Sequence, residues 1–256
     1  LFDGSYFRNY AVGFEDWERG YRARLYYYRS LSTALLRLKS DVADVAEIGC
    51  GLGMFSYCLL SRAPGLALRA SDISQYAVDV ARKKLAKFNN AQVETGDAEN
   101  VSLPTSSFDA VISLDVVEHL LHPESMISEV SRILRPGGVF LFTTPNGRSI
   151  GARFKRRASK AQLASVAGSR WLWFADRDAT HVNVRNPNDW RNLCLSMGLQ
   201  LVRDGSDGCW DTPYVRGIPL IVQKIICNGS HRILMRITPR LPWLLGENYI
   251  GFWRKP

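Results

Sequence analysis

Between residues 42 and 146, short apolar runs alternate with segments whose apolar residues recur at helical spacing. Val42–Ile48 reads as a strand closed by the turn Gly49-Cys50-Gly51-Leu52-Gly53, and Met54–Arg62 as the helix that follows, ended by Pro64-Gly65. Leu66–Ala70 is a second short strand running on to Asp72. Ser74 stands where an N-cap belongs, and Ala77, Val78, Ala81 and Leu85 make one stripe of a helix over Gln75–Phe88. Gln92–Thr95 is a weak third strand, and Phe108–Leu114 is an apolar run of the kind buried on both faces of a parallel sheet. A helix over Pro123–Leu134, stopped by Pro136-Gly137-Gly138, leads to a fifth strand at Val139–Thr143. This alternation predicts an α/β fold of βαβ units, with right-handed crossovers and helices on both faces of the sheet.

The flanks are less regular. Phe14–Lys39 reads as a helix leading into the domain, Pro187–Met197 as a late helix, and Leu199–Arg203 and Tyr249–Trp253 as late strands. No repeat or low-complexity linker interrupts the chain. The organisation expected is an N-terminal helical segment over residues 1–40 and a main domain over 41–256, with insertions at about 147–180 and 205–247.

Composition narrows the class. Of the 256 residues 46% are hydrophobic and 22% charged, enough apolar material for a core, which excludes disorder as the dominant state. The five cysteines form no CxxC pair, and their odd number argues against a disulfide framework, so a reducing cytoplasmic setting is expected. No apolar run approaches the roughly 18 residues of a spanning helix. The first residues lack the regions of a signal peptide, and the absent initiator Met suggests a trimmed chain. The net charge of +9 points to an anionic partner: nucleic acid, anionic lipid or a phosphorylated substrate.

The chemistry begins at Glu47-Ile48-Gly49-Cys50-Gly51-Leu52-Gly53, between a strand and a helix. Glycines let the backbone turn tightly and approach a ligand, and the helix start supplies unpaired N–H groups. Met54 stands where a dinucleotide GxGxxG fingerprint would need its last glycine. Instead, acids end the next two strands. Asp72 can accept both hydroxyls of a ribose, Asp97 an adenine amine beside the Ala98 N–H, and Ile73 can pack on the ring. Singly, either acid could merely start a turn or cap a helix; the adjacent loop favours the nucleoside reading.

Five stretches together resemble the class I S-adenosylmethionine-dependent methyltransferases, of the type-11, ubiquinone-pathway kind. They are V45-A-E-I-G-C-G-L-G-M-F-S56, A70-S-D-I-S74, E94-T-G-D-A98, F108-D-A-V-I-S-L-D-V-V-E-H-L120 and I133-L-R-P-G-G-V-F-L-F142. The resemblance implies a Rossmann-like, seven-stranded, mostly parallel sheet whose last strand is antiparallel. It also implies S-adenosyl-L-methionine as cofactor. Glu47, Gly49, Gly51 and Gly53 would hold its methionine end, Asp72, Ile73, Asp97 and Ala98 its nucleoside, and Leu114 would join the cofactor wall.

Asp115-Val116-Val117-Glu118-His119 follows the fourth strand. On a helical turn Asp115, Glu118 and His119 would share a face and suit a divalent cation, Mg or Zn. The pair Glu118-His119 could instead only order the loop, and His119 could serve as a general base. His181 follows in Thr180-His181-Val182-Asn183. The layout resembles two methyltransferase branches, the ubiquinone-pathway O-methyltransferases and the small-RNA terminal 2′-O-methyltransferases. There an acid-x-x-Glu-His cluster and a later His hold a divalent metal. The matching residues are Asp115, Glu118, His119 and His181, with Asp115 shorter than the Glu those families more often carry. His119 and His181 are then the candidate catalytic residues, taking a proton where no metal does.

The expected reaction is O-methylation of a small or lipid-linked acceptor such as a glycan, quinol or phenol. RNA 2′-O-methylation ranks second, and a non-catalytic binding module third. Aromatic groups at Tyr26-Tyr27-Tyr28, Trp171–Phe174 and Cys209–Tyr214 are candidate acceptor walls or simple packing. Basic residues gather at 148–160 and 224–240, and the apolar-basic stretch from Ile218 to Leu245 suits an anionic membrane surface. A cytoplasmic enzyme, peripheral on the inner membrane face, combines these expectations; nucleic acid ranks below lipid because no accessory RNA-binding motif is present.

Overall fold

The strands are β1 (Asp44–Ile48), β2 (Ala67–Asp72), β3 (Ala91–Thr95), β4 (Phe108–Leu114), β5 (Leu134–Pro145), β6 (Gln200–Ser206) and β7 (Asn248–Arg254). In the computed structural model they form one seven-stranded sheet in the order β3-β2-β1-β4-β5-β7-β6. Residues 2–4, 6–7, 22–149, 180–207, 222 and 246–256 are described. β1 to β5 pair in parallel, and β7 runs antiparallel between β5 and β6. The order reverses between β1 and β4, so the carboxyl ends of those strands flank the crevice where ligands bind in open α/β sheets.

Helices α1 (Arg22–Leu38), α2 (Met54–Leu60) and α3 (Gln75–Leu85) lie in chain order before α4 (Pro123–Ile133) and α5 (Pro187–Ser196). Strand alternation divides the core into two layers. Val45, Leu68, Ile112, Val139, Leu141 and Phe252 pack with α1, α2 and α3 on one face. Ala46, Ile48, Val111, Phe140, Phe142 and Trp253 pack with α4 and α5 on the other. Tyr27 is buried in the first layer, which gives it a packing role, not a place on an acceptor wall.

The predicted stripe Ala77, Val78, Ala81 and Leu85 is the buried face of α3, and Ser74 caps that helix by accepting from the Ala77 N–H at 3.3 Å. β5 departs from expectation. α4 passes straight into the strand at Leu134, which pairs with Phe108, and residues 135–138 bulge out before Val139 pairs with Ala110. Gly137, at φ 78°, makes that bulge turn. At the far edge Arg191 pairs bidentately with the half-buried Asp204, which also accepts from the Tyr249 hydroxyl, fastening α5 to β6 and β7.

Candidate active site

The glycine turn between β1 and α2 is built on positive φ at Gly49 (73°), Gly51 (51°) and Gly53 (77°). At Gly49 the need is twofold: a Cβ there would also come within 2.3 Å of a Val116 methyl. The turn is therefore in van der Waals contact with the segment after β4, which joins the predicted cofactor loop to the predicted chemistry site.

Glu47 lies beneath this turn, 3% exposed, and accepts a hydrogen bond from the Ser56 hydroxyl at the start of α2. Burial pushes its carboxyl up to about 8; the Ser56 hydrogen bond opposes that shift and the nearby Asp72 charge adds to it. Asp72, at the end of β2, takes the Gly51 N–H on Oδ2 at 2.8 Å and the Ser74 N–H on Oδ1 at 2.9 Å. It clamps the turn to α3, and each oxygen keeps a second acceptor site. Burial raises its pKa, against those two N–H bonds. Beside it Ile73 is 59% exposed. Asp97 is exposed beyond β3 and accepts from the Glu99 N–H at 2.8 Å, with Ala98 half-buried next to it. Leu114 is buried at the end of β4.

After β4 the chain does not make the α-helical turn that would align Asp115 with Glu118 and His119. Asp115 sits at φ 56°, and a 3-10 turn spans only Val117–His119. Asp115 donates its N–H to the Thr143 carbonyl at 3.0 Å, and its Oδ1 accepts from the Thr143 hydroxyl at 2.8 Å. Glu118 is tied to the next residue along β5, accepting from the Thr144 hydroxyl on Oε2 at 3.0 Å. Its other oxygen, Oε1, is buried with no hydrogen-bond partner among the described residues. Burial above all, and then the Asp115 charge, hold the Glu118 carboxyl well above the ordinary range, with His181 acting the other way.

His181 is brought in by the segment before α5. The N–H groups of Val182 and Asn183 both donate to the Glu118 carbonyl at 2.9 Å, and the Asn183 amide donates to the Leu120 carbonyl. The imidazoles of His119 and His181 meet edge to face at 4.7 Å. Ligand atoms of Glu118, His119 and His181 all lie within 4.8 Å of one another, and Asp115 is not in that group. His119 Nδ1 lies 3.2 Å from the Thr180 carbonyl and 2.8 Å from its hydroxyl. Thr180 thereby orients the imidazole through Nδ1, and a proton on Nδ1, donated to the carbonyl, would leave Nε2 for a metal. The unpaired Oε1 and this oriented histidine fit a divalent cation.

An N-terminal segment missed by sequence reasoning crosses both places. Phe2 stands edge-on to His119 at 5.4 Å, and Phe7 lies beside Gly51 and stacks on Tyr76 at 6.0 Å. Asp3 holds this turn by accepting from the Tyr6 N–H at 3.1 Å, an Asp-x-x-aromatic cap that was visible in the sequence. The expected aromatic group at 171–174, Tyr214, and nearly all of both basic stretches lie outside the described residues. Among the described residues no helix is long and apolar enough to cross a membrane, and Cys50, Cys58 and Cys194 are buried free thiols.

A doubly wound sheet with a glycine turn after β1, an acid ending β2 and another just beyond β3 has the layout of the open α/β class. Residues 46–142 match the methyltransferase domain family, so this stretch of the chain is similar to S-adenosylmethionine-dependent methyltransferases. The chain is 29% identical over 163 residues to a ubiquinone biosynthesis O-methyltransferase of Azoarcus sp. (strain BH72), over 62% of this chain and 64% of that protein. It is 32% identical over 112 residues to a malonyl-acyl-carrier-protein O-methyltransferase of Paenibacillus sp. (strain JDR-2), over 42% of this chain and 41% of that protein. The matched region thus spans less than two thirds of either relative's length. Among solved structures, a SAM-dependent methyltransferase of Thermotoga maritima superposes with TM-score 0.62 at 16% identity, covering 98% of both chains. The cyclase SpnF superposes with TM-score 0.59 at 16% identity, over 89% of this chain and 80% of that one, so the fold alone does not dictate the reaction.

Proposed function

We propose that this protein transfers the methyl group of S-adenosylmethionine to a hydroxyl of a small or lipid-linked acceptor, such as a quinol, phenol or glycan carrying two neighbouring oxygens. The observation that carries the reading is the contact between the Gly49 turn and Val116, two residues before Glu118. It supports a cofactor crevice beside the Glu118, His119 and His181 cluster.

S-adenosylmethionine supplies a methyl already activated on a sulfonium, so the protein's task is positioning and deprotonation. Asp72 receives the ribose hydroxyls on its remaining lone pairs, Ile73 covers one face of the adenine, and Asp97 with the Ala98 N–H reads its edge. Glu47, fastened by Ser56, supports the glycine turn, and its carboxyl, held protonated by burial, offers negative charge to the cationic end of the cofactor once it ionises. A divalent cation, where bound, supplies Lewis acidity that lowers the pKa of a coordinated hydroxyl. Glu118 Oε1, His119 Nε2 and His181 would hold that cation. Thr180 orients the His119 ring, Thr144 keeps the Glu118 rotamer, and the Phe2 ring shields the histidines from water.

Calorimetry with S-adenosylmethionine and the purified protein, followed by radiolabelled methyl transfer onto a catechol, is the direct test. Saturable micromolar-range binding and chelator-sensitive transfer are expected. No binding at millimolar cofactor refutes the enzyme reading, and full activity in excess chelator refutes the cation and leaves proton transfer to a histidine.

A further inference from the structure

The two acids that follow β4 look like one unit in the sequence; the Asp115 charge still acts on Glu118, yet the fold gives each side chain a different anchor. Consecutive strand residues face opposite sides of a sheet. Along β5, Val139 and Leu141 enter the layer of α1, α2 and α3, whereas Phe140 and Phe142 enter the layer of α4 and α5. By that alternation Thr143 belongs to the first side and Thr144 to the second. Both threonines are fully buried, and each grips one acid: Thr143 holds Asp115 and Thr144 holds Glu118.

Asp115 is therefore drawn to the side on which the glycine turn, α2 and α3 build the cofactor crevice. Glu118 is drawn to the side from which the segment before α5 brings His181. The left-handed backbone of Asp115 is the hinge of this division. At φ 56° it turns the chain so that the Asp115 side chain leaves the face on which an α-helical turn would have set it with Glu118 and His119. The backbone bond from its N–H to the Thr143 carbonyl, at 3.0 Å, fixes that turn. Three groups with the lone pairs of a cation site remain together: one carboxylate and two imidazoles. A set of two histidines and one carboxylate would leave positions of a bound divalent ion open for acceptor oxygens.

We propose that these acids serve different ligands. Glu118, His119 and His181 form a three-ligand cation site, and Asp115 is not a ligand but a positioning residue on the cofactor side, its charge facing the sulfonium end of S-adenosylmethionine. The inference rests on the proposed methyltransferase reading and deepens it by assigning the cation site and the cofactor charge to different acids.

The test is a crossed pair of affinities on the whole protein: Co2+ alone, followed by its visible absorption, and S-adenosylmethionine against S-adenosylhomocysteine by calorimetry. Asp115→Asn is expected to keep Co2+ affinity within about threefold while weakening S-adenosylmethionine by about fivefold or more. Its effect on S-adenosylhomocysteine, which lacks the sulfonium charge, should be smaller. Glu118→Gln is expected to do the reverse, losing about tenfold or more in Co2+ affinity with little change for the cofactor. Should Asp115→Asn fold poorly, the matched variants Thr143→Val and Thr144→Val carry the same comparison, because only the second releases a cation ligand.

Loss of Co2+ affinity in Asp115→Asn as large as in Glu118→Gln overturns the division of the acids, as does equal weakening of both cofactor forms. Wild-type protein that binds cofactor but no Co2+ sinks the cation reading itself, and wild-type protein that binds no cofactor sinks the methyltransferase reading. The failures are thus distinguishable.

Discussion

Replacing Glu47 by Gln should flatten the pH dependence of stability and, in the same protein, weaken the cofactor. The carboxyl is 3% exposed and its pKa stands near 8, against about 4.5 for an ordinary glutamate. The folded state thus holds a proton that the unfolded chain gives up, so the unfolded state is favoured progressively as pH rises between those values. The contribution is fully present below about pH 4.5 and lost by about pH 8. At 1.36 kcal/mol per pH unit the upper limit is roughly 5 kcal/mol, and local relaxation and water entry reduce what is measured to on the order of 2–4 kcal/mol. Gln keeps an oxygen for the Ser56 hydroxyl and nearly the same volume, and it cannot ionise. Urea denaturation from pH 5 to 8.5 should then show the variant close to wild type at the acid end and more stable at the alkaline end. Glu118 titrates in the same direction, so a residual slope remains. The same variant should lose affinity for S-adenosylmethionine, most clearly near pH 8, where the wild-type carboxylate is available to a cation. Parallel stability profiles for the two proteins would refute the reasoning, because they would mean that the Glu47 proton is not linked to folding.

Three further outcomes follow from particular contacts. Gly49→Ala sets a Cβ at φ 73° and within 2.3 Å of Val116, so strain and overpacking together should cost about 2–5 kcal/mol in chemical denaturation. Val116→Ala in the same chain should recover only the steric share, and no recovery would mean the turn does not bear on that residue. Asp204→Asn leaves the Arg191 guanidinium without its bidentate partner and should cost about 2–4 kcal/mol, with hydrogen exchange rising in β6 and α5; a change below about 0.5 kcal/mol would show the pair to be neutral. Phe2→Ala should raise KM for the acceptor with little change for the cofactor, whereas Phe7→Ala, beside Gly51, should do the opposite; steady-state kinetics showing the same profile for both would remove the division of this segment between the two ligands.

Most of the central sheet was legible because its signals are local. The Ser74 cap, the Ala77-to-Leu85 stripe and the apolar run of β4 each depend on residues a few places apart, and each appears as read. Strand ends were less legible. β5 begins at Leu134, not Val139, because its first pair is made across a bulge with Phe108, a partner chosen by the sheet and not by its neighbours in sequence. The cover formed by Phe2 and Phe7 was invisible for a related reason: its value lies in reaching His119 and Gly51, residues far along the chain.

The instructive departure is at Asp115. The spacing of Asp115, Glu118 and His119 implies a shared face only if the backbone between them is α-helical, and that premise was not tested by any of the three side chains. What decides it is a residue without chemistry of its own in the motif. Thr143 offers Asp115 a carbonyl for its N–H and a hydroxyl for its carboxylate, and the two bonds hold an aspartate in the left-handed region, where that residue type is better tolerated than most. One place further along the same strand, Thr144 offers its hydroxyl to Glu118 Oε2. A motif read along the chain as a single cluster is thus resolved by the two-residue period of a neighbouring strand. The same reasoning would apply to any acid-x-x-acid motif that follows a buried strand: the hydroxyl residues at the end of the adjacent strand decide whether its two carboxylates face one ligand or two.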